Sequence, residues 1–250
     1  MSLNFESRGS GPRLVMAHGF TQNLNCWGKF ADKLAKKFEL ILVDLPGHGE
    51  SEHDDCDLAE AAELLAEVGK EATYLGYSMG GRVCLHVALE KPELVNSLIL
   101  LGVDPGIEDE EKRVARLDID TKLSERISEN DLSDFLNKWL AQDMFESLAD
   151  ADKCMDERLK NRLEGIIGNL VNRGVGSQEP LWSRLEEITV PVLLMAGSAD
   201  IKYLNIADRM AAILTNDLNE FKTIDGGHAA HLEDKTSAKA VSDWLLNLSK

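Results

Sequence analysis

Short, continuously apolar runs alternate along this chain with longer amphipathic segments. Because helices cover both faces of a parallel sheet, its strands are apolar throughout rather than alternately apolar and polar. The alternation therefore predicts an α/β fold with a mostly parallel, doubly wound sheet, whose ligands bind at the C-terminal ends of the strands. The predicted strands span residues 13–17, 40–44, 72–77, 97–102, 190–196 and 220–224, and the predicted helices span residues 27–37, 58–69, 79–90, 206–214 and 236–248.

The alternation stops between residues 105 and 182, where charged residues and leucine predominate and no strand pattern is present. Three helices are predicted there, over residues 110–127, 133–142 and 152–172. A helical insertion between two parallel strands lies over the C-terminal edge of the sheet. We therefore predict a core formed by residues 1–104 and 183–250, with an all-helical cap, residues 105–182, inserted in it.

Composition limits the location and the partners of the protein. A net charge of −17 over 250 residues opposes binding to nucleic acid and to anionic membrane surfaces. No apolar run approaches the roughly 20 residues that a membrane helix needs. The N-terminus lacks the basic start and apolar stretch of a signal peptide, so a cytoplasmic location is expected. The oligomeric state stays open between monomer and homodimer.

Four isolated cysteines, Cys26, Cys56, Cys84 and Cys154, form no Cys-x-x-Cys pair and have no histidine at metal-ligand spacing. A chain of this length does not need disulfides to be stable, so reduced structural thiols are expected. The sequence therefore implies neither a metal nor a cofactor.

The pentapeptide Gly76-Tyr77-Ser78-Met79-Gly80 follows an apolar run and precedes a helical segment. A Gly-x-Ser-x-Gly pattern in that position is typical of a reactive serine on a strained strand-to-helix turn. Small neighbours let the backbone double back, and the helix N-terminus favours negative charge beside the serine. We interpret Ser78 as the central residue of a catalytic site.

A reactive serine needs a histidine base and an acid that orients the histidine. Asp200 and His228 each follow a predicted strand, in the chain order Ser, Asp, His. We therefore predict a catalytic triad of Ser78, Asp200 and His228. Asp104 remains an alternative acid because it also follows a strand, and His231 remains an alternative base. The other histidines are expected to be structural or to support the site indirectly: His18, His48, His53 and His86.

The segment His18-Gly19-Phe20 follows the first predicted strand and resembles an oxyanion loop. Its glycine permits close approach of the backbone, and the amides of Phe20 and Met79 are candidates for holding an oxyanion. A simple turn is the alternative interpretation.

With these features in order, the whole chain resembles the α/β-hydrolase superfamily. More narrowly, it resembles the 2-succinyl-6-hydroxy-2,4-cyclohexadiene-1-carboxylate synthases of menaquinone biosynthesis, in which an arginine after Ser-x-Gly-Gly is the more particular sign. The segments that carry this resemblance are Val43-Asp44-Leu45-Pro46-Gly47-His48-Gly49, Gly76-Tyr77-Ser78-Met79-Gly80-Gly81-Arg82, Asp104-Pro105-Gly106-Ile107, Arg113-Val114-Ala115-Arg116, Trp139, Phe145-Glu146-Ser147-Leu148 and Gly227-His228-Ala229-Ala230-His231.

The reaction that this resemblance implies is an elimination rather than a hydrolysis. Ser78, relayed through His228, would remove a proton from an enolpyruvyl cyclohexene carboxylate, and pyruvate would leave without an acyl-enzyme. The implied class is a carbon–oxygen lyase. The alternative is a serine hydrolase, either a carboxylesterase or a C–C bond hydrolase, that uses the same triad. A non-catalytic binding protein is a third possibility, although such proteins usually lack a triad member.

The implied substrate is a small carboxylate anion, so an acidic protein must present arginines locally to bind it. Position in the chain assigns this role to Arg82, which lies one helical turn after the serine, and to cap residues that match the family. The residues expected to bind substrate are Tyr77, Arg82, Arg116, Trp139 and Arg158. Arg113 and Arg162 are expected to form ion pairs with acidic neighbours. Leu140 replaces a tyrosine that some family members have after the cap tryptophan.

Overall fold

A computed structural model describes residues 2–128 and 131–248. It confirms the predicted α/β fold: a seven-stranded sheet has the order β1-β3-β2-β4-β5-β6-β7, and every neighbouring pair is parallel except β1 with β3. Residues 1, 129, 130, 249 and 250, which belong to the predicted core and cap, lie outside the described residues. The strands are β1 (Phe5–Gly9), β2 (Arg13–Ala17), β3 (Glu39–Val43), β4 (Ala72–Tyr77), β5 (Val95–Leu101), β6 (Val192–Gly197) and β7 (Glu220–Ile224).

Strand β1 was not predicted from the sequence. It is an edge strand that pairs antiparallel with β3, from Phe5 opposite Val43 to Gly9 opposite Glu39. Most of its side chains are exposed, including Phe5, so it has no continuous apolar run. Its position depends on main-chain pairing, which a hydrophobicity pattern does not reveal.

Helices cover both faces of the sheet, as a doubly wound fold requires. The core helices are α1 (Gly28–Leu34), α2 (Leu58–Gly69), α3 (Met79–Glu90), α8 (Ile201–Ile213), α9 (Ala230–Glu233) and α10 (Ser237–Leu248). Alternate residues of β2 point to opposite faces: Val15 belongs to the buried cluster that includes residues of α2, α3 and α8, whereas Leu14 and Met16 belong to the cluster that includes residues of α1 and α10. No helix within the described ranges is both long and apolar enough to cross a membrane.

Among the described residues between β5 and β6, four α-helices are present: α4 (Glu110–Ser128), α5 (Leu132–Leu140), α6 (Met155–Arg158) and α7 (Leu163–Asn172). The prediction of one helix over residues 152–172 is wrong, because the chain turns between α6 and α7. Asn161, in that turn, donates to the main-chain oxygen of Thr21 at 2.7 Å and accepts from the amide of Gly49 at 2.7 Å. These bonds to core loops satisfy the side chain at a point where the helix is interrupted.

Helix α8 also departs from its prediction, because it begins at Ile201 rather than at residue 206. Asp200 caps it by accepting from the amide of Tyr203 at 3.4 Å. A capping acid starts a helix even where the first residues have no apolar periodicity. The earlier start brings the first turn of α8 to the edge of the sheet that carries the site.

Candidate active site

Ser78 lies between the end of β4 and the start of α3, and its backbone has a φ of 50° and a ψ of −111°. A positive φ is strained for any residue with a Cβ. The flanking glycines are required by close contacts: a Cβ at Gly76 would lie 2.4 Å from the Cα of Gly81, and one at Gly80 would lie 2.0 Å from the oxygen of Ala17. The turn therefore has the strained geometry that the sequence pattern predicts.

The structure brings Ser78, His228 and Asp200 together in one hydrogen-bonded chain. The Oγ of Ser78 donates to Nε2 of His228 at 2.9 Å, and Nδ1 of His228 donates to Oδ2 of Asp200 at 2.7 Å. The histidine and aspartate side chains are 2% and 9% exposed, so little water competes for these bonds. Because the three residues follow β4, β6 and β7, they meet at the C-terminal edge of the sheet.

Asp104 and His231, the alternative acid and the alternative base, lie outside this hydrogen-bonded chain. Asp104 accepts from the amide of Gly106 at 3.0 Å and pairs with Nζ of Lys202 at 3.3 Å, so its carboxylate is engaged away from His228. His231 is buried among the rings of Trp27, Phe30 and Tyr77. Burial lowers the pKa of His231 to about 3, which keeps this ring neutral.

Residues 18–22, which we call the glycine loop, carry the Phe20 amide. The amides of Gly19, Thr21 and Gln22 donate to Oε1 of Gln22, Nε2 of His48 and the oxygen of Gly19. Within the described part of the chain, no acceptor pairs with the amide of Phe20. The amide of Met79 belongs to the first turn of α3, where N–H groups have no intrahelical acceptor. Both N–H groups are thus candidates for binding an oxyanion.

Two buried histidines hold this loop. The Nε2 atom of His18 accepts from the amide of Leu45 at 3.1 Å, so its Nδ1 carries the proton that is donated to the oxygen of Gly19 at 2.8 Å. Burial lowers the pKa of His18 to about 4 and places that of His48 well below its usual value. Both rings are therefore neutral and structural, in agreement with the sequence analysis.

A cavity of about 540 Å³ opens beside Ser78. Four guanidinium groups line it, from Arg82, Arg116, Arg158 and Arg173. Its apolar wall includes Phe20, Trp139, Phe145 and Leu170. The indole nitrogen of Trp139 is buried and has no hydrogen-bond partner among the described residues, which leaves it as a donor for a ligand.

Arg82 is 8% exposed, and within the described chain its guanidinium donates two hydrogen bonds, both to neutral oxygens. Nη1 donates to Oε1 of Gln178 at 3.1 Å and Nη2 donates to the main-chain oxygen of Arg173 at 2.7 Å. Burial lowers the pKa of Arg82 to about 10, although nearby acids oppose the effect. No carboxylate in the described chain lies within ion-pair distance of it, so its charge is not neutralised by a direct partner.

The cap arginines are held differently. Nε of Arg116 lies 2.9 Å from both carboxylate oxygens of Asp120, which has its pKa raised by burial in spite of the arginine. Arg158 is 2% exposed and uses Nε and Nη1 for oxygens of the protein. Arg113 pairs with Glu179 and Arg162 pairs with Asp54, as the sequence analysis expected for both.

Sequence reasoning missed Tyr203, whose ring centroid lies 4.3 Å from that of His228. Tyr77 packs on the same histidine with its centroid 5.3 Å away, so one buried and one partly buried phenol ring confine the imidazole. Tyr203 follows Asp200 by three residues, a spacing that would have placed it beside the acid if the start of α8 had been predicted correctly. Arg173 and Gln178 were also missed, because nothing in their spacing distinguishes them from surface residues.

The chain belongs to the α/β hydrolase fold family, whose sequence pattern matches residues 12–235. It is 32% identical over 260 residues to a putative 2-succinyl-6-hydroxy-2,4-cyclohexadiene-1-carboxylate synthase of Bacillus subtilis (strain 168), a match that covers 97% of this chain and 93% of that protein. The structure of MenH from S. aureus superposes with a TM-score of 0.90 at 28% identity and with full coverage of both chains. A pimeloyl-[acyl-carrier protein] methyl ester esterase of Vibrio atlanticus (strain LGP32) is 30% identical over 207 residues, 80% of each chain. The family predicted from the sequence is confirmed.

Proposed function

We propose that this protein is a carbon–oxygen lyase of the 2-succinyl-6-hydroxy-2,4-cyclohexadiene-1-carboxylate synthase type, which eliminates pyruvate from an enolpyruvyl cyclohexene carboxylate in menaquinone biosynthesis. One observation carries the proposal: a Ser–His–Asp hydrogen-bond chain opens on a cavity lined by four arginines, in a protein of net charge −17. Such a concentration of cations in an acidic chain suits a substrate with several carboxylates.

The triad supplies the base for this reaction. His228 accepts the proton of Ser78 Oγ through Nε2, and Asp200 stabilises the imidazolium that forms. Ser78 Oγ then removes a proton from the substrate ring, and the electron pair of that C–H bond forms a ring double bond as the bond from the ring to the enolpyruvyl oxygen breaks. The leaving group departs as the enolate of pyruvate and becomes pyruvate by taking up the proton that His228 holds. The amides of Phe20 and Met79 stabilise the negative charge that develops on the substrate oxygen. No covalent bond to Ser78 is needed.

The cavity provides the contacts for a polyanion. In the proposal, Arg82, Arg116 and Arg158 bind the substrate carboxylates, with Arg116 exchanging its bond to Asp120 for a bond to the ligand. Arg158 contributes its Nη2 atom, since Nε and Nη1 are already engaged. The indole of Trp139 donates to the ligand, and Tyr77 closes the wall beside Ser78.

A serine hydrolase remains the second candidate. The observation that favours it is the similarity to the methyl ester esterase of Vibrio atlanticus, together with a triad that suits acyl transfer equally well. An esterase of neutral substrates has no need of buried cavity arginines, so the lyase accounts for more of the site.

The decisive assay incubates the protein with the enolpyruvyl precursor and follows the release of pyruvate. Wild type is expected to release pyruvate with turnover, and the Ser78→Ala variant is expected to be inactive. A parallel assay uses neutral p-nitrophenyl esters with wild type and with Arg82→Ala. The absence of pyruvate at micromolar enzyme, combined with equal ester turnover by both proteins, would reject the lyase in favour of the hydrolase.

Three further features stay predictions within this proposal. The boundaries of the cap at residues 105 and 182 are supported by the position of α4 to α7 between β5 and β6. A cytoplasmic location is supported by the four cysteines, all of which are free. A monomer and a homodimer both remain compatible with the site, because one chain contributes the triad and the arginines.

A further inference from the structure

We propose that Thr21 is a positioning residue that the helical cap holds in place, and that it fixes the direction of the Phe20 N–H. Nothing in the sequence pattern distinguishes this residue. The inference rests on the proposed function, because it gives the Phe20 N–H the task of stabilising a developing oxyanion. It adds a residue that touches neither the triad nor the substrate.

Thr21 is held through each of its polar groups. Its N–H donates to Nε2 of His48 at 3.2 Å, its main-chain oxygen accepts from Nδ2 of Asn161 at 2.7 Å, and its Oγ1 accepts from Nη1 of Arg158. The residue is fully buried and has a φ of 68°, which is strained for a β-branched side chain. A strained, buried conformation persists only when its surroundings determine it, and here three side chains do so.

These bonds fix the peptide group that follows Phe20, and the conformation that they impose on Thr21 helps to fix the peptide group that precedes it. The peptide that joins Phe20 to Thr21 has its oxygen bound by Nη1 of Arg158 at 3.3 Å and its N–H bound by His48. The preceding peptide, which carries the Phe20 N–H, has its oxygen, that of Gly19, bound by Nδ1 of His18 at 2.8 Å and by the amide of Gln22 at 3.1 Å. The bond from Gln22 closes a four-residue turn in which Thr21 is the third residue, a position that calls for the positive φ that Thr21 has. Because a trans peptide is planar, an N–H points opposite to the oxygen of the same group. The direction of the Phe20 N–H is therefore set by the bonds around it.

Two of the three side chains come from the cap. Arg158 is the last residue of α6, and its Nε is anchored to the oxygen of Lys153 at 2.7 Å. Asn161 lies in the turn before α7 and also binds the amide of Gly49 in the core. Two of the three bonds that determine Thr21 therefore exist only when this part of the cap is seated on the glycine loop.

The position of Thr21 separates its role from substrate binding. Among the described residues that line the cavity, Phe20 and Arg158 are present and Thr21 is not. Its hydroxyl is occupied by the guanidinium of Arg158. A change at Thr21 therefore alters the orientation of its neighbours without removing a group that faces the ligand.

The test compares Thr21→Val, which removes the hydroxyl and keeps the branched shape, with Thr21→Ser, which keeps the hydroxyl. Two rates are measured: pyruvate release, as kcat and KM, and the covalent reaction of Ser78 with a fluorophosphonate, which also places charge on an oxygen beside the Phe20 and Met79 amides. Removing one oxyanion donor lowers kcat by about 100-fold or more, and a misdirected donor is expected to lower it by about tenfold. Thr21→Val should show this loss in kcat and in the fluorophosphonate rate with little change in KM, whereas Thr21→Ser should stay near wild type.

Arg158→Met removes the donor of the hydrogen bond to the Thr21 hydroxyl, so it tests the proposal even if Thr21→Val does not fold. It should lower the fluorophosphonate rate by a similar factor, and the double variant should be no slower in that reaction than Arg158→Met alone, since both changes remove one interaction. Any of three results would overturn the proposal: wild-type rates for Thr21→Val in both reactions, a raised KM with an unchanged kcat for that variant, or additive effects in the double variant. If the wild-type protein reacts with the fluorophosphonate but releases no pyruvate, the lyase function alone is rejected. The role of Thr21 is then decided by the fluorophosphonate rates of the same variants.

Discussion

Arg82 donates a 2.7 Å hydrogen bond from Nη2 to the main-chain oxygen of Arg173, the residue that directly follows α7. This bond joins α3, the helix that directly follows the reactive serine, to the C-terminal end of the cap helix α7. Its acceptor is a neutral oxygen, and so is the Gln178 oxygen that Nη1 contacts. The guanidinium is therefore oriented by the cap while its charge stays available to an anion in the cavity.

The charge of Arg82 is expected to matter for substrate binding, whereas that of Arg113 is not. Arg82→Gln should lower kcat/KM for the enolpyruvyl substrate by about 10- to 100-fold, the range that one charge-assisted hydrogen bond provides. Arg113→Gln is the matched control, because that arginine pairs with the exposed Glu179. Steady-state kinetics of pyruvate release check both. Equal kcat/KM values for the two variants would contradict the assignment of Arg82.

The strained backbone of Ser78 predicts a gain in stability when its Cβ is removed. Ser78→Gly and Ser78→Ala both lose the hydrogen bond to His228, but only glycine adopts a φ of 50° without strain. Glycine also adds entropy to the unfolded chain, which offsets part of this gain in stability. Ser78→Gly should still be more stable than Ser78→Ala by about 1 kcal/mol. Denaturant unfolding of both inactive variants measures this difference. An alanine variant that is the more stable of the two would show that the turn is not strained.

The two aspartates at the sheet edge are expected to differ sharply in their effect on turnover. Asp200→Asn should lower kcat by about 10⁴-fold, because the amide no longer holds the histidine in the required tautomer. Asp104→Asn removes a carboxylate that contacts Gly106 and Lys202 instead of His228, so kcat should fall by less than about tenfold. Single-turnover release of pyruvate separates these outcomes. A comparable loss in both variants would show that Asp104 shares the role of the acid.

The buried histidines predict that stability decreases in mild acid. The pKa of His231 is lowered to about 3 and that of His18 to about 4, both mainly by burial. Between the unfolded value of about 6.5 and these folded values, only the unfolded chain binds the protons, so the free energy of unfolding falls as the pH falls. Each histidine should contribute a loss of about 2 kcal/mol at pH 5, since a shift of one unit corresponds to about 1.4 kcal/mol.

His231→Phe tests this contribution. The variant keeps a ring among Trp27, Phe30 and Tyr77 but has no group to protonate. Its loss of stability between pH 7.5 and pH 5 should be smaller than that of wild type by about 2 kcal/mol, as followed by denaturant unfolding at each pH. The variant should also keep its kcat, because His231 has no contact with Ser78. If the free energies of unfolding of wild type and His231→Phe decrease equally between pH 7.5 and pH 5, the low folded-state pKa of His231 is contradicted.

The sequence predicted the features of this fold that depend on local pattern. The parallel strands other than β7 are formed largely by apolar residues, and Ser78, Asp200 and His228 could be recognised because each follows the end of a predicted strand within a few residues. The edge strand Phe5–Gly9 has no such run, since main-chain pairing with β3 holds it. The start of α8 was missed because a single capping acid, rather than a periodicity, determines it.

The contacts of the arginines could not be predicted from local sequence patterns. Arg113 and Arg116 lie one turn apart on α4, and the sequence separates them only by resemblance to a family. In the structure Arg116 lines the cavity, whereas Arg113 faces Glu179. Apart from the bond of Arg158 to the oxygen of Lys153, the partners of Arg158 and Arg82 are main-chain oxygens and side chains more than 90 residues away in sequence. Such contacts depend on how the cap folds over the core, which no local pattern records.

The bonds of Asn161 to Thr21 and Gly49 limit how this protein can be engineered. A cap transplanted from another member of the fold family, intended to change substrate preference, would arrive without the side chains that complete the core loop beneath it. Such a chimera would need residues 18–22 and the turn between α6 and α7 to be exchanged as one unit. In the same way, substitutions in these two segments are expected to co-vary among natural relatives, although they are about 140 residues apart in the chain.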